Sequence, residues 1–327
     1  MAIELQIING NKVMTPKVLN GIDVEWTRQG AAGQMTFTVL KTENLSFVEG
    51  NTVTLRVDGA NVFLGFVVKK SRDKEQQIQV TCLDQIFYLA QNQAVFVAKN
   101  ETASDCIKRL AKERDVAVGN LENTGYAIAK HRIDSATSYL DIMQTLLDIT
   151  LAYSGKMFVL YDDFGKLTVR NIENMVHEDI LVVNENNAEN FDYESNIENS
   201  YNDVVLVQAD KNSGQLSVVA EAKDAKNIGL WGNLTHFEIL DKDVTKENAE
   251  LKAKQLLELH NQVKRKLSIK GVFSNPAIRG GSTVAIVLNI GETVLRRHFV
   301  VESVKHHFAN DHSTMDLDVK SNGGFVL

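Results

Sequence analysis

The feature that most constrains how this chain can fold is an internal echo. Gly50-Asn51-Thr52-Val53-Thr54-Leu55 returns as Gly281-Ser282-Thr283-Val284-Ala285-Ile286, and Phe66-Val67-Val68-Lys69-Lys70 returns as Phe299-Val300-Val301-Glu302-Ser303. The separations are 231 and 233 residues. Each copy then closes with an alternating segment, Ile78 to Leu83 in the first and Met315 to Val319 in the second, so the order strand, turn, strand, loop, strand is kept. Two related β units are predicted, with other material between them. The alternative is chance, because short V-x-V strings recur in any β protein and periodicity alone does not separate the two.

The rest of the patterning fits that frame. Ile22-Asp23-Val24-Glu25-Trp26 and Met35-Thr36-Phe37-Thr38-Val39 alternate with period two, as do Val53, Leu55 and Val57, and Asp58-Gly59 supplies a turn before Phe63 to Val68. The first hundred residues therefore read as antiparallel β structure, a meander or small barrel. Helical spacing takes over between about 100 and 152. One helix spans Thr102 to Asp115, with Thr102 and Asp105 as a weak capping box; a stronger one follows the Ser135 to Ser138 start signals and stops before Gly155. A third helix is predicted from Lys246 to Lys266, capped by Thr245, with Lys264, Arg265 and Lys266 at its C-terminal dipole.

Composition narrows the class. The chain has 327 residues, 44% hydrophobic and 24% charged, enough to bury a substantial core, and its two cysteines, Cys82 and Cys106, read as small core residues of a chain made in a reducing cytosol. A formal charge of −7 disfavours broad binding to a phosphate backbone. No signal peptide and no apolar run of the roughly 20 residues that a spanning helix needs is predicted.

Candidate chemistry is sparse. Asp163-Phe164-Gly165 spells a kinase metal-binding triplet, yet no Gly-rich phosphate loop or H-R-D loop precedes it, and its flanks are strand-like, so it reads as a hairpin turn. His298, His306, His307 and His312 cluster near the C-terminus, but His306 and His307 are neighbours on a strand and face opposite ways, which disfavours a shared metal. HExxH, GxSxG and Walker signatures are missing. A glycosidase pair of carboxylates has no fixed sequence spacing, so the 42 acids keep that class open; most of them, such as the run from Glu185 to Glu198, read as solvated.

Several segments, in order, resemble one family: the N-terminal strand pair with Trp26, Glu49-Gly50-Asn51-Thr52-Val53 followed by Phe63-Leu64-Gly65, Val80-Thr81-Cys82-Leu83-Asp84, the helix start from Asp134-Ser135 to Asp141-Ile142, Gly165-Lys166-Leu167, Ser195-Asn196-Ile197 and Asn202-Asp203-Val204. Together they resemble the XkdQ/YqbQ-type baseplate hub proteins of contractile phage tails and phage-tail-like particles of PBSX-like prophages. Leu230-Trp231-Gly232 departs from that family's usual Tyr-Gly pair. The resemblance implies a β-rich α+β fold with two related tube-protein-like β-barrel domains and inserted helical or mixed segments. It places the first barrel at 1–95, the middle region at 96–188 and 226–264, and the second barrel at 189–225 and 265–327. It implies a homotrimer joining a six-fold tail tube to a three-fold central spike, with other baseplate proteins as neighbours, assembled in the bacterial cytoplasm into a virion or tail-like particle. No catalytic residue, metal or cofactor, membrane or specific nucleic acid is implied. The candidate tube or subunit contacts are Phe63, Phe66, Val68, Phe299 and Val301. The competing class is a tail-associated cell-wall-degrading enzyme, a glycosidase or peptidase.

Overall fold

A computed structural model describes residues 2–183, 188–210, 214–289, 294–309 and 312–326. The first unit comprises β1 (Ile3–Asn9), β2 (Lys12–Met14), β3 (Val18–Thr27), β4 (Gln34–Leu40), β5 (Thr52–Val57), β6 (Ala60–Arg72) and β7 (Gln77–Leu83). Its alternation has the expected consequence: Ile22, Val24 and Trp26 of β3 and Met35, Phe37 and Val39 of β4 face the core, while Glu25 faces solvent.

The middle region holds α1 (Ile86–Gln91), β8 (Gln93–Ala98), β9 (Glu101–Thr102), α2 (Ala103–Glu113), β10 (Val118–Leu121), β11 (Ala127–Ile128), β12 (His131–Ser138), α3 (Tyr139–Ser154), β13 (Phe158–Asp162) and β14 (Leu167–Asn171). Thr102 and Ser138 cap α2 and α3 by accepting from the amides of Asp105 and Asp141, and Gly155 ends α3 in the left-handed conformation. The apolar stripes of α2 and α3 pack together with Phe158, Leu160 and Leu167 in a core of their own. Cys82 and Cys106 are both buried thiols.

The second unit comprises β15 (Val176–Val183), β16 (Asn190–Asn196), and, after an insertion, β20 (Lys264–Phe273), β21 (Thr283–Asn289), β22 (Val294–Phe308) and β23 (Ser313–Val326). The insertion is β17 (Asp203–Ala209), β18 (Leu216–Lys223), α4 (Ala225–Trp231), β19 (Thr235–Leu240) and α5 (Lys246–His260). Residues 203–209 and 216–223, expected with the second barrel, instead form two strands of a separate three-stranded sheet β18-β17-β19 covered by α5. At the other boundary, residues 93–98 pair with β12 and belong to the middle region. The third helix stops at His260, so Lys264, Arg265 and Lys266 are not its C-terminal turn. They open β20, because the alternation of Leu267 and Ile269 pairs this segment with β23, and sheet pairing there outweighs a surface dipole effect. The acidic run begins at Glu185, and residues 185–187 lie outside the described residues.

The echo is structural. In the first unit the spatial order is β1-β5-β6-β7-β4-β3, and in the second it is β15-β21-β22-β23-β20-β16, so each strand finds a counterpart in chain order. Gly50 N–H donates to Val67 O at 2.8 Å and Val67 N–H to Asn51 O at 2.9 Å; Gly281 N–H donates to Val301 O and Val301 N–H to Ser282 O, both at 2.8 Å. The ladder with the next strand slips at the same place in both, between Val67 and Lys69 and between Val301 and Ser303. One cross-sheet row, Val24-Met35-Cys82-Val67, matches Tyr193-Leu267-Val319-Val301. The copies differ in their first strand, antiparallel for β1 against β5 and parallel for β15 against β21.

This register moves the sequence echo by one residue. Val67 corresponds to Val301, so Phe66 corresponds to Val300, while Phe299 takes the position of Gly65, opposite Val284 as Gly65 is opposite Val53. A Cβ on Gly65 would lie 2.6 Å from the Phe63 ring. One aromatic ring thus fills the same place in both units, from Phe63 in the first and from Phe299 itself in the second. Both units share one hydrophobic core containing Leu55, Phe63, Val67, Phe299, Val301 and Leu317. Phe299→Ala is expected to lower unfolding free energy by about 3–5 kcal/mol in urea titrations, and Phe66→Ala, at a half-buried site, by clearly less.

Candidate functional site: the junction between the two β units

The two units are fused by hydrogen bonding. The N-terminal half of β22 pairs with β21, but Ser303 to Phe308 reach across to β3, with Ser303 opposite Thr27, Lys305 opposite Glu25 and Phe308 opposite Ile22. Among the described residues this makes a single 13-stranded sheet. On its outer face Asp23 accepts from Lys305 Nζ at 2.9 Å and from His307 Nδ1 at 2.6 Å. Burial raises the Asp23 pKa, but these two partners outweigh it and hold the carboxyl below its usual range.

On the inner face His306 is fully buried. Its Nε2–H donates to the Ile278 carbonyl at 2.8 Å, and its Nδ1 accepts from the Ser274 hydroxyl at 2.7 Å. Burial, with Arg279 nearby, pushes its pKa down to about 4, against the pull of the Ile278 carbonyl. A neutral ring has one N–H, and the carbonyl can only accept, which fixes the tautomer. Trp26 meets this ring edge to face at 5.5 Å between centroids. The end of the seam is closed by Arg28, whose amide donates to Glu302 O at 2.8 Å and whose Nε and Nη2 donate to the two Glu302 carboxylate oxygens at 2.8 and 3.2 Å. Gly280 is required here: a Cβ would lie 2.3–2.5 Å from the Thr27 and Arg28 backbone.

Behind the seam, Arg279 ties all three regions together. Its guanidinium lies 4.0 Å over the Tyr161 ring and 5.2 Å over Trp26, and Nη2 donates to Asp162 O at 2.7 Å. Asp84 accepts from the amides of Gly33 and Ile86 at 2.8 and 2.9 Å. Burial first, then the Asp162 charge, raises the Asp84 pKa to about 8, against the two amides and Arg279. Burial also raises Asp162, which accepts from Gly165 N–H at 2.8 Å. A neighbouring pair of carboxyls with raised pKa is the chemistry a glycosidase acid would need. Asp84 and Asp162 are, however, only 2% and 5% exposed, and their hydrogen-bonding oxygens serve backbone amides and Gln85.

The sequence candidates separate accordingly. Asp163-Phe164-Gly165 is a turn, with Asp163 and Lys166 exchanging backbone bonds and positive φ at Phe164 and Gly165. His306 and His307 point to opposite faces, and no cluster of three or more His, Cys, Asp or Glu side chains suited to a metal occurs among the described residues. Among the same residues no helix is long and apolar enough to cross a membrane. Of the five candidate contacts, Phe63, Phe299 and Val301 are 2%, 0% and 0% exposed and belong to the core. Strand alternation turns them inward, so they are corrected from contact residues to packing residues. Phe66 and Val68 are half-buried and stay available to a partner. Reading the chain alone missed Arg279, Asp84 and Gly280; the Gly280-Gly281 pair was the one local signal of a close approach.

The fold is one seen in solved phage-tail proteins. The tail protein of Neisseria meningitidis MC58 has the same fold, with a TM-score of 0.70 at 15% identity, covering 99% of this chain and 98% of that one. The 43 kDa tail protein of prophage MuSo2 from Shewanella oneidensis gives 0.69 at 12% identity, covering 97% and 98%. The chain belongs to the YQBQ-like family, whose model matches residues 22–320. It is 25% identical over 321 residues to the phage-like element PBSX protein XkdQ of Bacillus subtilis (strain 168), covering 97% of this chain and 96% of that protein.

Asp84 gives a pH test. Its folded pKa lies above the unfolded value of about 3.9, so its contribution to stability is complete below that value and is lost as pH rises through about 8. Between about pH 7.2 and 8.5, above the range near 6.5 in which unfolded histidines titrate and so clear of the depressed His306 and His260, the urea midpoint of the wild type is expected to fall with rising pH. Asp84→Asn, neutral throughout, should flatten that slope even where its absolute midpoint is lower.

Proposed function

We propose that this chain is a structural hub of a contractile phage tail or tail-like particle, a trimeric adaptor between a six-fold tail tube and a three-fold central spike. The observation that carries this reading is the strand-for-strand duplication. Three copies of a chain with two like units offer six like units on one face and only three-fold symmetry elsewhere, which is what a six-to-three adaptor requires. Membership of the YQBQ-like family and the tail-protein fold support a place in a tail or baseplate. The name of the B. subtilis relative, a protein of a phage-like element, supports a phage-like particle; assembly in the bacterial cytoplasm is part of the same proposal.

In this reading the protein acts through surfaces and carries out no reaction. The buried state of the Asp84 and Asp162 pair weighs against the cell-wall-degrading alternative. Phe66 and Val68, half-buried on β6, are the remaining candidates for apolar anchors against a tube protein or a second copy, since buried apolar anchors rather than rim charges dominate such contacts. Light scattering on the size-excluded protein alone is expected to give three times the 36.4 kDa chain mass, and on the protein co-expressed with its tube and spike neighbours a heavier complex containing three copies of the chain. A chain that remains monomeric in the presence of both neighbours contradicts the adaptor.

A further inference from the structure

The seam inside the chain has a counterpart that the chain leaves open. In the second unit the far half of β22 pairs with β3. In the first unit the equivalent far half of β6, Lys69 to Arg72, pairs with β7 alone among the described residues. At the other end, β16, the second unit's equivalent of β3, pairs with β20 alone and forms one terminus of the sheet. Each open edge is the missing half of the other. We infer that β6 of one copy pairs antiparallel with β16 of the next, repeating between chains the seam that β22 and β3 make within one. This rests on the ring reading above and names the contact that would close it.

The register follows from the equivalences already established. Val67 and Lys69 correspond to Val301 and Ser303, and Val24 to Tyr193. The internal pairs Ser303 with Thr27, Val304 with Trp26, Lys305 with Glu25 and His306 with Val24 then become Lys69 with Asn196, Lys70 with Ser195, Ser71 with Glu194 and Arg72 with Tyr193 of the next copy.

Exposure and the overall charge of the two edges agree. The internal seam sets an acidic strand, with Asp23 and Glu25, against a basic one, with Lys305 and His307. β16 carries Asp192 and Glu194 at the places of Asp23 and Glu25, and the open half of β6 carries Lys69, Lys70 and Arg72, at positions next to those of Lys305 and His307, which fall on Ser71 and Asp73. Lys69, Ser71, Arg72, Asp192 and Glu194 are exposed, and Lys69, Arg72 and Asp192 have no ion-pair partner among the described residues. Unpaired edges of this kind are templates for another strand. In both units a side chain of this strand reaches the loop three residues before Gly50 or Gly281, although from positions two residues apart in the matched register: Lys70 Nζ donates to Phe47 O and His306 Nε2 to Ile278 O, both at 2.8 Å. A head-to-tail contact with distinct donor and acceptor edges closes into a ring when its rotation allows.

Cysteine trapping tests this with the full chain. Ser71→Cys with Glu194→Cys is expected to give, under mild oxidation, covalent dimers and trimers that reductant dissolves. Ser71→Cys with Asn190→Cys, four residues and roughly 13 Å out of register, should give at least fivefold less. In a second arm, Lys69→Glu with Arg72→Glu should raise the concentration for half-association at least tenfold at low salt, and adding Asp192→Lys with Glu194→Lys should restore it. Trimers that form without the in-register link, or reversed charges that leave association unchanged, overturn the pairing while leaving the ring standing. A chain that stays monomeric and gives no link at the highest concentration reached overturns the pairing. Failure of the adaptor reading is seen separately, as a trimer that binds neither tube nor spike.

Discussion

The whole structure depends on one strand being long enough to serve two masters. β22 pairs with β21 through its first half and with β3 through its second, and that one strand turns two duplicated units into a single sheet with a shared core. Backbone ladders are indifferent to sequence, so the choice of partner rests on what surrounds the seam. Asp23 between Lys305 and His307 sets the outer face, neutral His306 between Ser274 and Ile278 sets the inner face, and the Arg28–Glu302 fork ends it. A slip of one residue would turn Val304, His306 and Phe308 outward and break all three at once.

The polar cluster behind the seam has a different task. Arg279 comes from the second unit, Asp84 from the end of the first and Asp162 from the middle region, so the groups least able to tolerate separation come from all three. Buried charge without a partner is costly, and the cluster therefore couples the docking of the middle region to the closure of the seam. The same burial that raises Asp84 and Asp162 removes them from solvent, which separates a structural use of paired carboxyls from a catalytic one.

Much of this was legible in the residues because its causes are local. Alternation gave β3 and β4, oxygen-bearing side chains before apolar stripes gave the caps at Thr102, Ser138 and Thr245, and Asp and Gly gave the turn at 162–165. The echo between Gly50 and Gly281 gave the duplication. What escaped has non-local causes. Phe66 and Phe299 share a letter but not a place, because the ladder is anchored by Gly50 on Val67 and by Gly281 on Val301. Lys264 to Lys266 continue a basic, helix-compatible run and became a strand only because β16 and β23 flank them. Asp203–Ala209 and Leu216–Lys223 alternate like the strands of the large sheet, and nothing local says that they pair with each other and, through β17, with β19 instead. The contact of Arg279 with Tyr161 joins residues far apart in the chain, with no periodic trace in either segment.

In the proposed assembly one seam is used twice, once within the chain and once between chains. Electron cryo-microscopy of the assembled oligomer is expected to show a three-fold ring of six like β units in which β6 of each copy continues, antiparallel, into β16 of the next with Ser71 opposite Glu194. A ring in which those two edges face solvent, or an assembly held by the middle region with the β units apart, would contradict it.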